Sequence, residues 1–279
     1  MDEKTNIILV PWDFTENCEL ALEHAVQLAT VAHNEIMLMY MMPNFGIFNR
    51  LRSRLRPKDL STLNRRLTEA AQKAQEQYGI KPQTLVLEGN SRKGLRNLIE
   101  TAHVNLIVSY PVYKYKYSLI RMSRMLKSLV FKKMTLPFLL VSRKPQHTHY
   151  IEMAIPVFYD PKFKEAVQWI IRLAKYYHCN VNFIKPYLTD DYRKRQLASN
   201  MYFTKKMLDG VDIVYGIKTA KRSKIFEDEI FRFAENIEAD LMLMVSDEYD
   251  KLIPKTREAD LSVPVMCVNV RRRKYASFN

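Results

Sequence analysis

One strand–helix opening occurs twice in this chain, at residues 10–15 (VPWDFT) and again at residues 155–160 (IPVFYD). After each opening, apolar residues follow at steps of three and four, which is the spacing of an amphipathic helix. The two apolar stripes keep one register without a gap: Cys18, Ala21, Leu22, Ala25, Leu28, Ala29 and Ala32 in the first copy, and Phe163, Ala166, Val167, Ile170, Leu173, Ala174 and Tyr177 in the second. This duplication predicts two homologous domains, so function has to be considered for each copy separately.

The length of 279 residues is enough for two ordinary domains, which we predict at residues 1–144 and 150–271. The polar residues 143–149 (RKPQHTH) form the predicted linker. An apolar content of 47% with mixed charge is typical of a globular chain, and no apolar run resembles a membrane span or a signal peptide. The three cysteines are widely separated, which is typical of buried thiols in a reducing compartment. We therefore expect a cytoplasmic protein without a transmembrane segment.

Predicted strands and helices alternate through both halves of the chain. They include helices at residues 16–32 and about 120–134, and strands at 35–42, 180–185 and 212–215. The strands are nearly continuous apolar runs, which indicates a parallel sheet covered by helices on both faces. Thr15 and Asp160 are expected at the N-cap of the first helix in each copy, with Pro161 at the first helical position. Gly79 and Gly210 follow the second helix in each half, where a residue with positive φ is expected.

Short segments in both copies resemble one known family. Residues 8–16 (ILVPWDFTE) resemble the opening of a universal stress protein domain. Segments that resemble the later strands of this family follow in order, at residues 87–89, 105–108 and 136–141 in the first copy and at 239–244 and 263–268 in the second. The resemblance implies two tandem five-stranded, parallel-sheet α/β sandwich domains of Rossmann-like type, with a crevice at the carboxyl ends of the strands. It also implies that the fifth strands, at 138–141 and 265–268, pair within the chain as a pseudo-dimer.

The chain departs from this family at the phosphate-binding loop. Nucleotide-binding members carry a glycine-rich loop after the fourth strand, whose backbone N–H groups cradle phosphates ahead of a helix. Here the corresponding segments are residues 109–114 (SYPVYK) and 245–249 (VSDEY). No glycine occurs between Gly94 and Gly210 or after Gly216. Tyrosine and proline do not replace a glycine cradle, so both copies are predicted to have lost ATP binding of the family's usual kind.

Four residues remain candidates for a vestigial nucleotide crevice: Pro11, Trp12, Asp13 and Gly89. The resemblance implies that Asp13, at the end of the first strand, contacts adenine or ribose. The alternative, which we favour because the phosphate loop is missing, is that Asp13 accepts hydrogen bonds that organise the turn into the first helix. In the second copy Phe158 stands in its place, which leaves no comparable acceptor.

The chain carries a net charge of +14, and the positive charge is clustered. Residues 101–151 contain nine Lys or Arg residues and no Asp or Glu. Within this segment Arg121, Arg124 and Lys127 follow at steps of three, so they would share one helix face. Such a face is a candidate site for a polyanion, either nucleic acid or an anionic surface. The alternative is an ordinary solvated surface, because no known nucleic-acid-binding motif is present.

Motifs of catalysis and of metal binding are missing from the sequence, including the nucleophile elbow, the P-loop and paired metal ligands. We therefore predict a non-enzymatic stress-response or regulatory binding protein with no cofactor, to which ATP binds weakly or not at all. One alternative is an adenine-nucleotide-binding stress protein with a divergent phosphate loop, built on Asp13 and the cations of residues 121–127. A second is a polyanion-binding module. A homodimer and an unidentified protein partner are further interactions that the sequence leaves open.

Overall fold

Ten strands and seven helices make up the described part of the chain in the computed structural model, which covers residues 6–42, 56–88, 92–110, 136–222, 224–253 and 261–270. The strands are β1 Ile7–Pro11, β2 Glu35–Met42, β3 Gln83–Glu88, β4 Val104–Ser109, β5 Phe138–Leu140, β6 Glu152–Pro156, β7 Asn180–Lys185, β8 Tyr215–Thr219, β9 Leu241–Val245 and β10 Val265–Val268. The helices are α1 Glu16–Ala32, α2 Arg56–Tyr78, α3 Arg92–Thr101, α4 Phe163–Tyr177, α5 Asp191–Asp209, α6 Phe226–Asn236 and α7 Ser246–Leu252. A helix that the sequence predicts at 120–134 lies outside the described residues.

All ten strands belong to one sheet, in the order β3-β2-β1-β4-β5-β10-β9-β6-β7-β8. Each half contributes five parallel strands, as the sequence predicts. The halves join where β5 and β10 pair antiparallel, with Leu139 opposite Met266 at the centre. The predicted pairing of the two fifth strands is confirmed. The boundaries predicted for two domains stay a prediction, because the sheet is continuous across them.

The strand registers relate the two halves by an approximate twofold axis. Ile8 of β1 pairs with Leu106 of β4, and Met153 of β6 pairs with Leu241 of β9. Ile8 and Met153 hold the same place in the duplicated opening, so Leu106 and Leu241 are equivalent as well. Every position in one half of the sheet can therefore be compared with its counterpart in the other half.

The apolar core consists of two layers, one on each face of the sheet. Helices α1, α2, α4 and α5 cover the first face, and helices α3, α6 and α7 contribute to the second. Ile8 of β1 and Met153 of β6 lie in one buried cluster on the first face, while Leu9 and Ala154 share the cluster on the second. Full burial of an aliphatic side chain of leucine size stabilises a fold by about 1.5–3 kcal/mol. Because both layers run through both halves, neither half has a core of its own.

The first helices of the two copies begin differently. Helix α1 starts after Thr15 as predicted, but the Thr15 side chain makes no capping hydrogen bond within the helix. Helix α4 starts at Phe163, so the prediction that Asp160 is its N-cap and Pro161 its first residue is wrong. The Asp160 carboxylate accepts a hydrogen bond from the backbone N–H of Lys162 at 2.9 Å. This bond closes a separate turn ahead of the helix.

The second helices of the two halves also end differently. Gly79, after α2, has φ +73°, which confirms its predicted left-handed conformation. Gly210, after α5, has φ −69°, so the same prediction for this glycine is wrong. In the second half the left-handed residue is instead Asp212, with φ 57°. The sequence also predicts a third strand there at residues 212–215, but β8 begins at Tyr215, because the chain needs this turn before it can enter the sheet.

The linker between the halves is anchored to α1 by buried hydrogen bonds. His24 is 1% exposed, and its Nε2 lies 2.9 Å from the carbonyl oxygen of Arg143. A carbonyl only accepts, so Nε2 carries the proton and Nδ1 accepts from the Tyr150 hydroxyl at 2.7 Å. Burial lowers the pKa of His24 to about 4. At the other end of the linker, His147 contacts the carboxylate of Asp240 at 2.7 Å, which raises the pKa of His147.

The two glycines give a matched pair of stability predictions. We expect Gly79→Ala to lower the free energy of unfolding by about 1–2 kcal/mol, because alanine is strained at positive φ. Gly210→Ala should cost less, since its φ is already helical, although the new Cβ lies 3.3 Å from the carbonyl oxygen of Lys206. Urea unfolding of both variants measures the difference. A larger loss at Gly210 than at Gly79 would contradict this assignment of backbone conformations.

The buried imidazole of His24 predicts a pH dependence. Unfolded histidine binds a proton near pH 6.5, whereas folded His24 does so only near pH 4. The contribution of neutral His24 to the free energy of unfolding is complete above pH 6.5 and falls as the pH drops towards 4. At 1.36 kcal/mol per pKa unit, the loss is up to about 3 kcal/mol. The free energy of unfolding of His24→Gln, measured by thermal or urea denaturation, should change less with pH over this range than that of wild type. His149→Gln, at an exposed linker position, is the control and should keep the wild-type slope.

Candidate functional site

The crevice that the resemblance predicts lies between the carboxyl ends of β1 and β4, which are neighbours in the sheet. From β1 the chain goes on to β2, its neighbour on one side, whereas from β4 it goes on to β5, its neighbour on the opposite side. Such a reversal of direction opens a gap at the strand ends, where ligands of open α/β sheets bind. The approximate twofold places a second crevice between β6 and β9.

In the first crevice, Asp13 organises the turn into α1. Its Oδ1 accepts hydrogen bonds from the backbone N–H of Thr15 at 2.9 Å, the Thr15 hydroxyl at 2.5 Å and the Cys18 thiol at 2.6 Å. The backbone N–H of Asp13 in turn donates to the sulfur of Cys18 at 3.2 Å. These are the contacts expected if Asp13 serves the turn, the interpretation that the sequence favours. The ligand role of Asp13 stays a prediction.

Cys18, at this turn, is held as a neutral thiol. The side chain is 6% exposed. Burial raises the pKa of Cys18 well above its ordinary value, and the negative charge of Asp13 raises it further. The thiolate is the nucleophilic form of cysteine, so Cys18 acts here as a hydrogen-bond donor and not as a reactive group.

A cation and two aromatic rings stand beside Asp13. Phe14 takes a left-handed conformation, with φ 64°, and its ring centroid lies 5.3 Å from that of Tyr40 on β2. The guanidinium of Arg66, on α2, lies 4.0 Å from the centroid of the Phe14 ring. We call Phe14, Tyr40 and Arg66 the aromatic–cation cluster. Sequence reasoning missed this cluster, although Arg66 belongs to a run of basic residues that is visible in the sequence.

In the second crevice a helix follows the fourth strand of that half directly. Strand β9 ends at Val245 and helix α7 begins at the next residue, Ser246. Asp247 and Glu248 are the acidic residues of its first turn. The segment that the resemblance aligns with the family's phosphate loop is therefore helical from its first residues and carries two carboxylates.

Side chains from several elements cross the second crevice. The ammonium of Lys162 lies 3.5 Å from a carboxylate oxygen of Asp247, which joins the turn after β6 to α7. Asn200, fully buried on α5, donates to the carbonyl oxygens of Phe158 and Asp160 at 2.8 and 2.9 Å. Sequence reasoning missed Asn200, because one asparagine within a helix carries no signal. Several polar groups of this crevice are thus bonded to each other, while the Asn200 side-chain oxygen and the Ser246 hydroxyl are buried with no hydrogen-bond partner within the described structure.

The predicted site residues fall partly inside the described structure. Pro11 ends β1, and the backbone N–H of Trp12 donates to the carbonyl oxygen of Met39 at 2.8 Å. The Trp12 side chain is 5% exposed, so it belongs to the core more than to an open cleft. Gly89 lies outside the described residues. So do the three predicted polyanion ligands, Arg121, Arg124 and Lys127, and the prediction for that surface stays untested.

No group of three or more His, Cys, Asp or Glu side chains in the described part of the chain is placed to hold a metal ion. No helix within the described ranges is both long and apolar enough to cross a membrane.

Comparison with known proteins agrees with this geometry. Residues 4–109 match the model of the universal stress protein family. The crystal structure of a universal stress protein from Archaeoglobus fulgidus is similar along both chains, with a TM-score of 0.62 and 15% identity over 96% of this chain and 99% of that chain. A member of the family from Burkholderia pseudomallei is 21% identical over 50% of this chain and 97% of that chain, with a TM-score of 0.37. Among curated proteins, none matches the sequence.

The structural match spans both halves, so a chain of similar length shares the whole tandem arrangement. At 15% identity, this likeness establishes the fold alone. The family match covers the part of the chain that contains β1 to β4 and the crevice between β1 and β4. Over residues 4–109 this chain is similar to the universal stress protein family, and its second half repeats the fold of that part.

Proposed function

We propose that this protein is a non-enzymatic, stress-response or regulatory binding protein whose domains no longer bind ATP in the manner of a glycine-loop site. The main support comes from the second crevice, where α7 follows β9 without a loop. A phosphate cradle needs consecutive backbone N–H groups that converge on one point, and glycines allow that approach. A helix that starts at Ser246 leaves no preceding loop to surround a phosphate, so only the free N–H groups of its own first turn remain.

Charge gives a second argument against a phosphate in that crevice. Asp247 and Glu248 already supply negative charge to the first turn of α7, which is the position where a phosphate would be stabilised. Two described cations beside these carboxylates are already paired, Lys162 with Asp247 and Lys251 with Glu248. A nucleoside triphosphate would therefore meet two carboxylates and two cations that are already neutralised. The proposal assigns this crevice a structural role.

The first crevice supports the same proposal less directly. One carboxylate oxygen of Asp13 is already bonded to three donors in its own turn. Each of those bonds would have to weaken if the same oxygen received a ribose hydroxyl or an adenine amino group. The segment after β4 lies outside the described residues, so here the argument rests on its sequence, which has no glycine.

An adenine-nucleotide-binding protein with a divergent loop is the second candidate, and the aromatic–cation cluster favours it. A planar base stacks well on aromatic faces, and a guanidinium next to them attracts phosphate. Phe14 and Arg66 lie 4.0 Å apart in this way at the end of β1. If the first domain binds a nucleotide, this cluster and Asp13 would line the bottom of the binding site.

Titration with ATP distinguishes the two candidates. Isothermal calorimetry of the full chain with ATP and Mg²⁺ should show no saturation at low micromolar concentrations. Denaturation of freshly purified protein should release no nucleotide that mass spectrometry detects. Saturable binding that is lost in Arg66→Gln would establish the second candidate. Arg65→Gln is the matched control, since Arg65 is the neighbouring cation and pairs with Glu69 on the surface of α2.

A further inference from the structure

Strand β8 forms one edge of the sheet, and the outer side of its backbone is open. The backbone N–H of Ala220 donates to the carbonyl oxygen of Lys185 on β7. Successive residues of a strand direct their N–H and C=O groups to alternate sides, so those of Tyr215, Ile217 and Thr219 point away from β7. Among the described residues, these outward groups have no backbone partner. An extended segment can therefore pair with β8 as a further strand.

A groove lies beside this edge, on the face of the sheet that α5 covers. Its volume is about 350 Å³. Helix α2 packs closely along β3 in the first half, whereas its counterpart α5 makes few contacts with β8, so space remains between them. Ile217 is 37% exposed, and the groove therefore reaches the edge of the sheet. The apolar residues of its lining are Pro186, Leu188, Leu197, Ala198, Met201 and Ile217.

The groove and the edge strand have matching lengths. The residues of α5 that line the groove share one helix face, from Lys194 to Lys205. Between these two lysines the helix rises by about 16 Å, at 1.5 Å per residue. The five residues of β8 span about the same distance, at about 3.3 Å per residue. One extended segment along β8 would therefore pass the whole lined face of α5.

Every charged side chain in the lining of the groove is a lysine. Lys185 ends β7 and Lys194 lies near the start of α5, while Lys205 lies towards the other end of that helix. Lys194 pairs with Asp191 at 3.1 Å, and both side chains are more than half exposed. Within the described ranges, Lys185 and Lys205 have no ion-pair partner. The groove thus has an apolar floor with cations towards both ends, which is complementary to an acidic partner.

The sequence around β8 has the same sign of charge. Residues 213–226 contain four Lys or Arg residues and no Asp or Glu. Lysine on an edge strand often prevents association between sheets, and Lys218 of β8 fits that role. The lysines of the groove do not, because they lie on β7 and α5. Val214, which is 86% exposed, and Ile217 also leave apolar side chains at the edge, and these favour association.

We propose that β8 and the groove bind an acidic, extended peptide segment of a partner protein. Its backbone would pair with the outward groups of β8. On the face towards the groove, an apolar side chain would contact Ile217 and Leu188, and carboxylates on either side of it would pair with Lys185 and Lys205. Main-chain hydrogen bonds would supply affinity, and the groove would select the side chains.

This site is separate from the second crevice, because β7 lies between β8 and β6. The proposal goes beyond the loss of nucleotide binding, and it holds whether or not either crevice binds a nucleotide.

The test uses the full-length protein and a capped, fluorescein-labelled peptide, threonine-glutamate-threonine-valine-threonine-glutamate-threonine. In a strand, this peptide places a valine between two glutamates on one face. We expect saturable binding by fluorescence anisotropy. Bound peptide should slow hydrogen exchange, measured by NMR, at the N–H groups of Tyr215, Ile217 and Thr219. Exchange should change less at Lys218, whose N–H faces β7. The same peptide with glutamine at both acidic positions should bind about fivefold or more weakly, because two ion pairs are lost.

Variants of the protein separate the charge from the backbone pairing. Lys185→Gln combined with Lys205→Gln should weaken binding of the acidic peptide by about the same factor. Lys81→Gln combined with Lys206→Gln is the matched control, because it removes equal charge at exposed positions outside the groove lining. Thr219→Pro removes one outward N–H and no bond to β7, and it should weaken binding by about tenfold. Thr219→Val keeps that N–H and should bind like wild type.

Three results would overturn the proposal. The first is a lack of saturable peptide binding, or binding that leaves hydrogen exchange in β8 unchanged. The second is a dimer in analytical ultracentrifugation that Thr219→Pro dissociates, because a second copy of the chain would then occupy the edge. The third is tighter binding of oligothymidylate than of the peptide, lost in Lys185→Gln combined with Lys205→Gln, since the groove would then hold a nucleic acid.

Discussion

The antiparallel pairing of β5 with β10 is the constraint on which the rest of this structure depends. The contact is short, with Val265 opposite Leu140, Met266 opposite Leu139 and Cys267 opposite Phe138. All six residues are at most 1% exposed. Without this pairing, each half would end in a fully apolar edge strand, which is a template for aggregation. With it, the outer strands are β3 and β8, and four of the five residues of β8 are exposed.

The pairing also sets the relation between the two copies. Helices α1 and α4 contact each other on the first face, where α1 also contacts β4 and α4 contacts β9, the strands that flank the junction. The Tyr176 hydroxyl on α4 donates to the side-chain oxygen of Asn34 at 2.9 Å, which links the second copy to the loop before β2. Because the copies share one core and one register, substitutions between them can be compared residue by residue. The replacement of Asp13 by Phe158 in the second copy is one such comparison.

Much of the fold could be predicted from the sequence. Helix α1 and strands β2 and β7 match their predicted bounds, because continuous apolar runs or a clear helical stripe define them. Strand β8 was harder to place, because an exposed edge strand has no apolar run to mark it. The prediction of positive φ at Gly210 was wrong because a glycine permits positive φ but does not require it. The chain takes that conformation at Asp212 instead.

The candidate site was less predictable than the fold. The absence of the loop glycines can be read from the sequence, and it led to the main functional prediction. The sequence does not show which side chains enter the crevices, because Lys162 meets Asp247 and Asn200 meets Phe158 only after folding. The position of Arg66 over Phe14 likewise depends on how α2 lies against the sheet. Contacts of this kind join residues far apart in sequence, and no local pattern encodes them.

The antiparallel junction has a geometric consequence for any partner. Strands β1 to β5 run one way through the sheet and strands β6 to β10 run the other way. The two crevices therefore open towards opposite ends of the molecule, so one short ligand cannot bridge them.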